Sequence, residues 1–165
     1  MIAGVFRQRI RLLAWLPVIL WMALIFFASG DAGSTRHTSR IIGPILRWLN
    51  PAITDEGIRQ VQLVIRKGGH LTGYAVLSVL IWRAQRQAAA TAGEAGEASP
   101  HPPGWNAKHA AFAWTLATLY AVSDELHQSF VPSRQAQWTD VLIDATGAAL
   151  GLALARAWAR RCAPG

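Results

Sequence analysis

Acidic, imidazole and amide side chains are concentrated in one short part of the sequence, between Ser123 and Asp144. Two adjacent carboxylates, Asp124 and Glu125, are followed closely by His127. Carboxylates beside an imidazole can transfer protons once burial and neighbouring charge separate their pKa values. Only 15% of the chain is charged, whereas 52% is hydrophobic. This concentration of ionisable groups therefore predicts a functional site.

Three predicted helices carry polar residues at helical spacing, so each presents them on one face. The three sets are Lys67, His70 and Tyr74; Tyr120, Asp124, His127 and Gln128; and Asp140 with Asp144. Gly147 and Gly151 continue the face of the two aspartates as a Gly-x-x-x-Gly pair, which predicts close contact with another helix. Gly68, Gly69 and Gly73 predict a similar contact beside the first set.

The residue types predict separate roles within this site. The acid–base candidates are Glu125, Asp124, His127 and His70, and the substrate-binding candidates are Lys67, Tyr74, Gln128, Arg134, Asp140 and Asp144. Lys67 and Arg134 suit a phosphate or carboxylate group. The histidine and carboxylate spacing matches no familiar metal-ligand motif, so we expect neither a metal nor a cofactor.

Simpler interpretations stay open for several of these residues. Lys67 can extend to a membrane interface, Tyr74 can be a packed interfacial aromatic, and Asp140 can cap a helix. Arg134 can be a solvated loop charge. For the acid–base candidates, the alternative is an ion network that only stabilises the fold.

Four apolar stretches must position these residues, and we expect each to be a membrane-spanning helix. They cover residues 12–29, 61–82, 108–128 and 138–158. The first is uncharged and close to the length of about 20 residues that crosses a bilayer core, whereas the others reach it only with their polar ends included. The predicted fold class is all-α, an integral membrane four-helix bundle forming a single domain over residues 1–165. A soluble bundle is the alternative, but the chain has few charges to coat its surface.

The segments outside these stretches have distinct characters. Residues 38–49 have apolar side chains at three- and four-residue spacing and predict an amphipathic segment at the membrane surface, anchored by Trp48. Residues 88–104, rich in Ala, Gly and Pro, predict a flexible linker. The basic N-terminus resembles a signal peptide, but its apolar stretch exceeds the roughly 7–15 residues of a cleaved signal, so we expect a retained anchor.

The formal charge of +7 comes from 16 basic and 9 acidic residues, and most basic residues flank the apolar stretches. That placement suits lipid headgroups and topology signals rather than nucleic acid. Nine basic residues next to helix ends indicate how the protein is oriented in the membrane: Arg7, Arg9, Arg11, Arg83, Arg86, Lys108, Arg156, Arg160 and Arg161. They predict cytoplasmic termini and one polar site facing outward. Cys162 is the only cysteine, which excludes an internal disulfide and argues against a cysteine metal site.

The order of the polar residues resembles that of a known family. The pattern is Lys67-x-x-His70-x-x-x-Tyr74, then Asp124-Glu125-x-His127-Gln128-x-Phe130-x-Pro132-x-Arg134, then Asp140 and Gly147-x-x-x-Gly151. It strongly resembles the VanZ-like family of small bacterial membrane proteins. Ser133 stands where the family often has glycine, and Asp144 where it often has asparagine. The founding member is associated with low-level teicoplanin resistance, so the resemblance implies a cell-envelope function in the bacterial cytoplasmic (inner) membrane.

Three classes of function fit these features. The leading hypothesis is recognition, and acid–base modification, of a lipid-linked or glycopeptide headgroup, with membrane lipids as the other partners. The second is a non-enzymatic accessory or binding protein whose polar network is structural. The third is a small proton-coupled transporter, which would require oligomerisation because four spans are few and no inverted repeat is visible. The sequence does not decide between them, and it leaves the oligomeric state open.

Overall fold

The computed structural model of the protein describes residues 2–30, 35–92, 105–132 and 136–161. Within these ranges the chain forms five helices and no strand: α1 Ile2–Ser29, α2 Thr35–Leu49, α3 Asp55–Ala92, α4 Ala107–Ser129 and α5 Trp138–Arg161. The all-α prediction is confirmed. The four predicted apolar helices correspond to α1, α3, α4 and α5, and the predicted amphipathic segment corresponds to α2.

Side-chain caps explain where two of these helices begin. Before α3, the Thr54 hydroxyl accepts a hydrogen bond from the Gly57 backbone N–H at 3.1 Å. Before α4, the Asn106 side chain accepts hydrogen bonds from the backbone N–H groups of Lys108 and His109. Both caps satisfy backbone donors that have no partner inside the first turn of a helix.

Helix α3 is longer than predicted at both ends and has 38 residues. The prediction of a flexible linker over residues 88–104 was wrong for residues 88–92, which belong to this helix. The run Ala88-Ala89-Ala90 explains the extension, because alanine has the highest helix propensity. The remainder of the predicted linker, residues 93–104, lies outside the described residues.

The helices α1, α3, α4 and α5 run alternately up and down. Helices α3 and α4 are antiparallel, since Gln85 donates a hydrogen bond to the His109 carbonyl at 3.1 Å and the rings of Tyr74 and Tyr120 lie 6.3 Å apart. Helix α3 packs against all four of the others. This topology brings the start of α3, the end of α4 and the start of α5 to one end of the bundle, which we call the polar end. It confirms the predicted convergence of the polar sets.

The interior of the bundle contains small apolar residues together with polar ones. The buried apolar residues include Ala113, Ala117 and Ala121 of α4, which are fully buried. Many large apolar side chains lie on the outside instead, for example Leu20, which is 61% exposed, and Leu154, which is 72% exposed. Within the described chain, two helices are long and apolar enough to cross a membrane, over Arg9–Ser29 and Trp138–Arg161.

Candidate functional site

Close packing of α5 against α3 sets the geometry of the polar end. A Cβ atom added at Gly147 would overlap the backbone carbonyl of Leu71, and one added at Gly151 would overlap the carbonyl of Ala75. The predicted role of this Gly-x-x-x-Gly pair is confirmed. Because the two helices run in parallel, the glycines also hold the aspartates of α5 against the polar face of α3.

The corresponding prediction for the glycines of α3 was wrong. A Cβ atom added at Gly68, Gly69 or Gly73 meets no described atom within 4 Å. Gly68 and Gly69 are exposed, whereas Gly73 is partly buried. The Gly73 carbonyl accepts a hydrogen bond from the Trp21 indole at 2.9 Å, so α1 contacts this residue through its backbone.

Asp140 of α5 forms ion pairs with two cations of α3. Its Oδ2 lies 2.8 Å from Arg66 Nη2, and its Oδ1 lies 3.2 Å from Lys67 Nζ. The Asp140 side chain is 3% exposed, whereas the Lys67 side chain is 33% exposed. Two cations therefore offset the cost of burying this carboxylate, and Lys67 is the more accessible of the two.

His70 and Asp144 form a second pair one helical turn further along both helices. His70 Nδ1 lies 3.1 Å from Asp144 Oδ1, and the Asp144 side chain is 1% exposed. A carboxylate that accepts from Nδ1–H fixes the imidazole tautomer and leaves Nε2 as the proton acceptor. This arrangement is suited to acid–base chemistry.

Asp124 of α4 connects α1 to the polar end. Its Oδ2 accepts hydrogen bonds from the Ser29 hydroxyl at 2.8 Å and from the Gln128 amide at 3.1 Å. All three residues are buried. Their contacts form a continuous polar connection between the end of α1 and the end of α4.

Glu125 lies beside the ion pairs of α3 and α5. Its Oε1 accepts a hydrogen bond from the backbone N–H of Gln137 at 2.5 Å, and its carboxylate interacts electrostatically with Asp140, His70 and Arg66. The side chain is buried. Its other oxygen, Oε2, is also buried and has no hydrogen-bond partner among the described residues.

Tyr74 is buried on α3, 1% exposed. It interacts electrostatically with both Asp124 and Asp144, which places it between the α4 and α5 parts of the cluster. Tyr74 therefore places a buried hydroxyl beside the carboxylates of Asp124 and Asp144.

His127 is oriented toward α1. Its ring stacks on Phe26 at 4.3 Å between centroids and at 20° between planes. Within the described ranges its Nδ1 has no hydrogen-bond partner, and it forms no hydrogen bond to His70. The predicted proton shuttle through both histidines has no direct contact to support it. Arg134 lies outside the described residues.

A comparison with protein families identifies the family of this chain. The VanZ/LLP1 family model matches residues 14–159, a range that contains all the residues of the polar end. The chain belongs to the VanZ/LLP1 family. No match was found among curated proteins or among solved structures.

Two residues of the polar end in this VanZ/LLP1 chain were missed by the sequence analysis. Arg66 precedes His70 by four residues and so shares its helix face, a signal that would have identified it. Ser29 ends the first apolar stretch without any polar neighbour to mark it, and only the packing of α1 against α4 reveals its contact with Asp124.

The polar end of this VanZ/LLP1 protein contains carboxylates that are paired and one carboxylate oxygen that is not. Asp140 and Asp144 are paired with cations or an imidazole, whereas Glu125 Oε2 has no hydrogen-bond partner in the described chain. No group of three or more His, Cys, Asp and Glu in the described ranges is arranged to hold a metal ion. Proton transfer and anion binding are the chemistries for which these residues are suited.

Proposed function

We propose that α1, α3, α4 and α5 all span a membrane and that α2 lies at its surface. The distribution of side chains supports this placement, because carboxylates and amides occupy the interior while large apolar residues cover the outside of the helices. Extended apolar surfaces are rare on soluble monomers. In a membrane, ionisable groups face the bundle interior and pair with one another. On α2, Trp48 is 81% exposed and suits an interfacial anchor.

The polar end faces the outside of the cytoplasmic membrane in this arrangement. Basic residues of the opposite end include Arg83 at the last turns of α3, Lys108 at the start of α4 and Arg160 at the end of α5. Short loops rich in Arg and Lys stay in the cytoplasm. The same rule assigns both termini to the cytoplasm and the polar end to the envelope side.

The protein binds the headgroup of a lipid-linked envelope precursor at this end and transfers a proton to or from it. The observation that carries this function is the His70–Asp144 pair, in which a buried carboxylate holds an imidazole at 3.1 Å. His70 Nε2 then serves as the base or acid, as in other sites where a carboxylate orients a histidine. Membership of the VanZ/LLP1 family supports a role in the cell envelope.

The other groups of the polar end complete this function. Lys67, the more exposed partner of Asp140, attracts the anionic part of the headgroup. The free oxygen of Glu125 provides a second acid or base, and the Tyr74 hydroxyl orients the bound group. The Lys67 side chain is partly accessible, and Glu125 Oε2 has no hydrogen-bond partner in the described chain.

Profiling of lipids and cell-wall precursors tests this function. A deletion strain is complemented with the wild-type protein, with Glu125→Gln or with Glu56→Gln, all at equal membrane abundance. Glutamine keeps the oxygen that accepts from Gln137 but cannot carry a proton as a carboxylic acid does. We expect the same precursor to accumulate in the deletion strain and with Glu125→Gln. The control variant Glu56→Gln should restore the wild-type profile, because Glu56 is exposed and pairs with Arg59 at the start of α3.

A structural network is the second candidate function for the same residues. It is favoured by the way that Ser29, Asp124 and Gln128 use their hydrogen bonds to hold α1 against α4. In that case Glu125→Gln would leave the precursor profile unchanged at equal abundance. Any effect of substitutions in the cluster would then follow the amount of folded protein.

A further inference from the structure

A groove lies between α4 and α5 at the end of the bundle away from the polar end. Its volume is about 510 Å³, within the range of roughly 300–1,000 Å³ that is common for small-molecule sites. Small residues of both helices line it, including Ala110, Ala149 and Ala153, and the indoles of Trp105 and Trp114 form part of its wall. The alanines leave space that larger side chains would fill.

A cluster of aromatic and guanidinium groups borders this groove. The indole of Trp105 lies 5.3 Å from that of Trp82. Arg86 lies 4.4 Å from the centre of the Trp82 ring, and Arg156 lies 5.7 Å from the centre of the Trp105 ring. In the membrane arrangement proposed above, tryptophan favours the headgroup level of the bilayer, so this cluster places the mouth of the groove at that depth. The groove then extends from the headgroups toward the hydrocarbon core.

Two cations line the mouth and lack acidic partners in the described chain. Arg156 and Arg160 both line the groove and, being four residues apart, lie on one face of α5. No described carboxylate lies within ion-pair distance of either guanidinium, and none lines the groove. The groove therefore joins an apolar surface to a pair of positive charges that have no acidic partner among the described residues.

We infer that this groove binds an anionic phospholipid, with an acyl chain along the alanines and the phosphate at Arg156 and Arg160. A guanidinium matches the geometry of a phosphate group. Basic pockets between helices on the cytoplasmic side are suited to anionic headgroups. This site is separate from the polar end, so its occupant is a lipid of the surrounding membrane and not the substrate proposed above.

Native mass spectrometry of the full chain in detergent tests this inference. Dioleoyl phosphatidylglycerol and dioleoyl phosphatidylcholine are titrated separately, and the fraction of protein carrying one lipid is measured. We expect phosphatidylglycerol to bind about thirtyfold more tightly, because two basic residues near an anionic headgroup together contribute about 2 kcal/mol. The double variant Arg156→Gln with Arg160→Gln should lose this preference. Ala153→Phe, which fills the groove and leaves the charges in place, should weaken the binding of both lipids.

The control is the double variant Arg9→Gln with Arg11→Gln, which removes the same charge from exposed positions of α1 that do not line the groove. It should bind both lipids as the wild type does. Equal binding of the two lipids by the wild-type protein would overturn the inference, as would an equal loss of preference in the control. If Ala153→Phe leaves lipid binding intact and instead converts a dimer to a monomer, the groove is an interface between two copies and the inference is wrong.

Discussion

The two ends of the bundle use the same helices but pack them with different chemistry. The buried face of α4 begins with Ala113, Ala117 and Ala121 and ends with Asp124 and Gln128. The buried face of α5 changes in the same way, from Leu152 and Ala148 at one end to Asp144 and Asp140 at the other. Each helix therefore has an alanine end and a polar end on a single face.

The two ends therefore depend on different interactions: close packing at the alanine end and charge pairing at the polar end. At the alanine end, small side chains let the helices approach, and contacts are individually weak and easily rearranged. At the polar end, every buried carboxylate needs a partner, because an unpaired charge in the interior is costly. We therefore expect substitutions at the polar end to have large effects on stability and those at the alanine end to act mainly through shape.

The largest effect is expected from removing the carboxylate that pairs with two cations. Asp140→Ala leaves Arg66 and Lys67 without their shared partner and should lower the free energy of unfolding by about 3–5 kcal/mol. The matched control is Asp55→Ala, which breaks the exposed pair between Arg47 and Asp55 and should give no resolvable change. Thermal unfolding in detergent measures both. Equal shifts in the two variants would show that burial of the Asp140 pair contributes nothing.

A smaller effect is expected from adding one methyl group between α3 and α5. Gly147→Ala forces the new Cβ against the Leu71 backbone and should cost about 1–3 kcal/mol, the usual range for overpacking. Gly68→Ala adds the same methyl where no described atom lies within 4 Å. It should not lower the thermal midpoint, since alanine is favoured over glycine within helices. If only Gly68→Ala lost stability, Gly68 rather than Gly147 would be the glycine that contacts another helix.

The smallest effect is expected from the contact that joins α1 to the polar end. Ser29→Ala removes the hydrogen bond to Asp124 and should cost about 0.5–1.5 kcal/mol, the usual net contribution of one hydrogen bond, because Asp124 keeps its bond from Gln128. Ser123→Ala is its control, because the exposed Ser123 hydroxyl bonds only to the nearby Tyr120 carbonyl among the described residues. Thermal midpoints in detergent provide the comparison. If both variants have the thermal midpoint of the wild type, the packing of α1 does not depend on this contact.

Periodicity in the sequence was sufficient to predict the helices and the convergence of their polar ends. Apolar stretches located α4 and α5 closely, and they located the end of α1 but not its start, which lies ten residues earlier than predicted. The spacing of His70, Asp140 and Asp144 indicated which faces meet. These signals are local, because side chains three or four residues apart share a face. The Gly147–Gly151 contact was predicted for the same reason.

Features that depend on packing between helices could not be predicted in this way. The glycines of α3 look the same in sequence as those of α5, yet only Gly147 and Gly151 touch a neighbouring backbone. The direction of His127 toward Phe26 depends on the rotation of α4 against α1. The pairing of Ser29 with Asp124 joins residues that are distant in the chain. In each case the partner is set by the tertiary arrangement.

Labelling of single cysteines from the outside of intact cells tests most directly whether the two ends face opposite sides of the membrane. The only native cysteine is replaced by Cys162→Ser, and Phe130→Cys and Arg160→Cys are introduced separately. Phe130, 77% exposed, marks the polar end, and the exposed Arg160 marks the alanine end. The account predicts that a membrane-impermeant maleimide labels Phe130→Cys in intact cells and Arg160→Cys only after permeabilisation. Labelling of Arg160→Cys in intact cells, or protection of Phe130→Cys until permeabilisation, would contradict it.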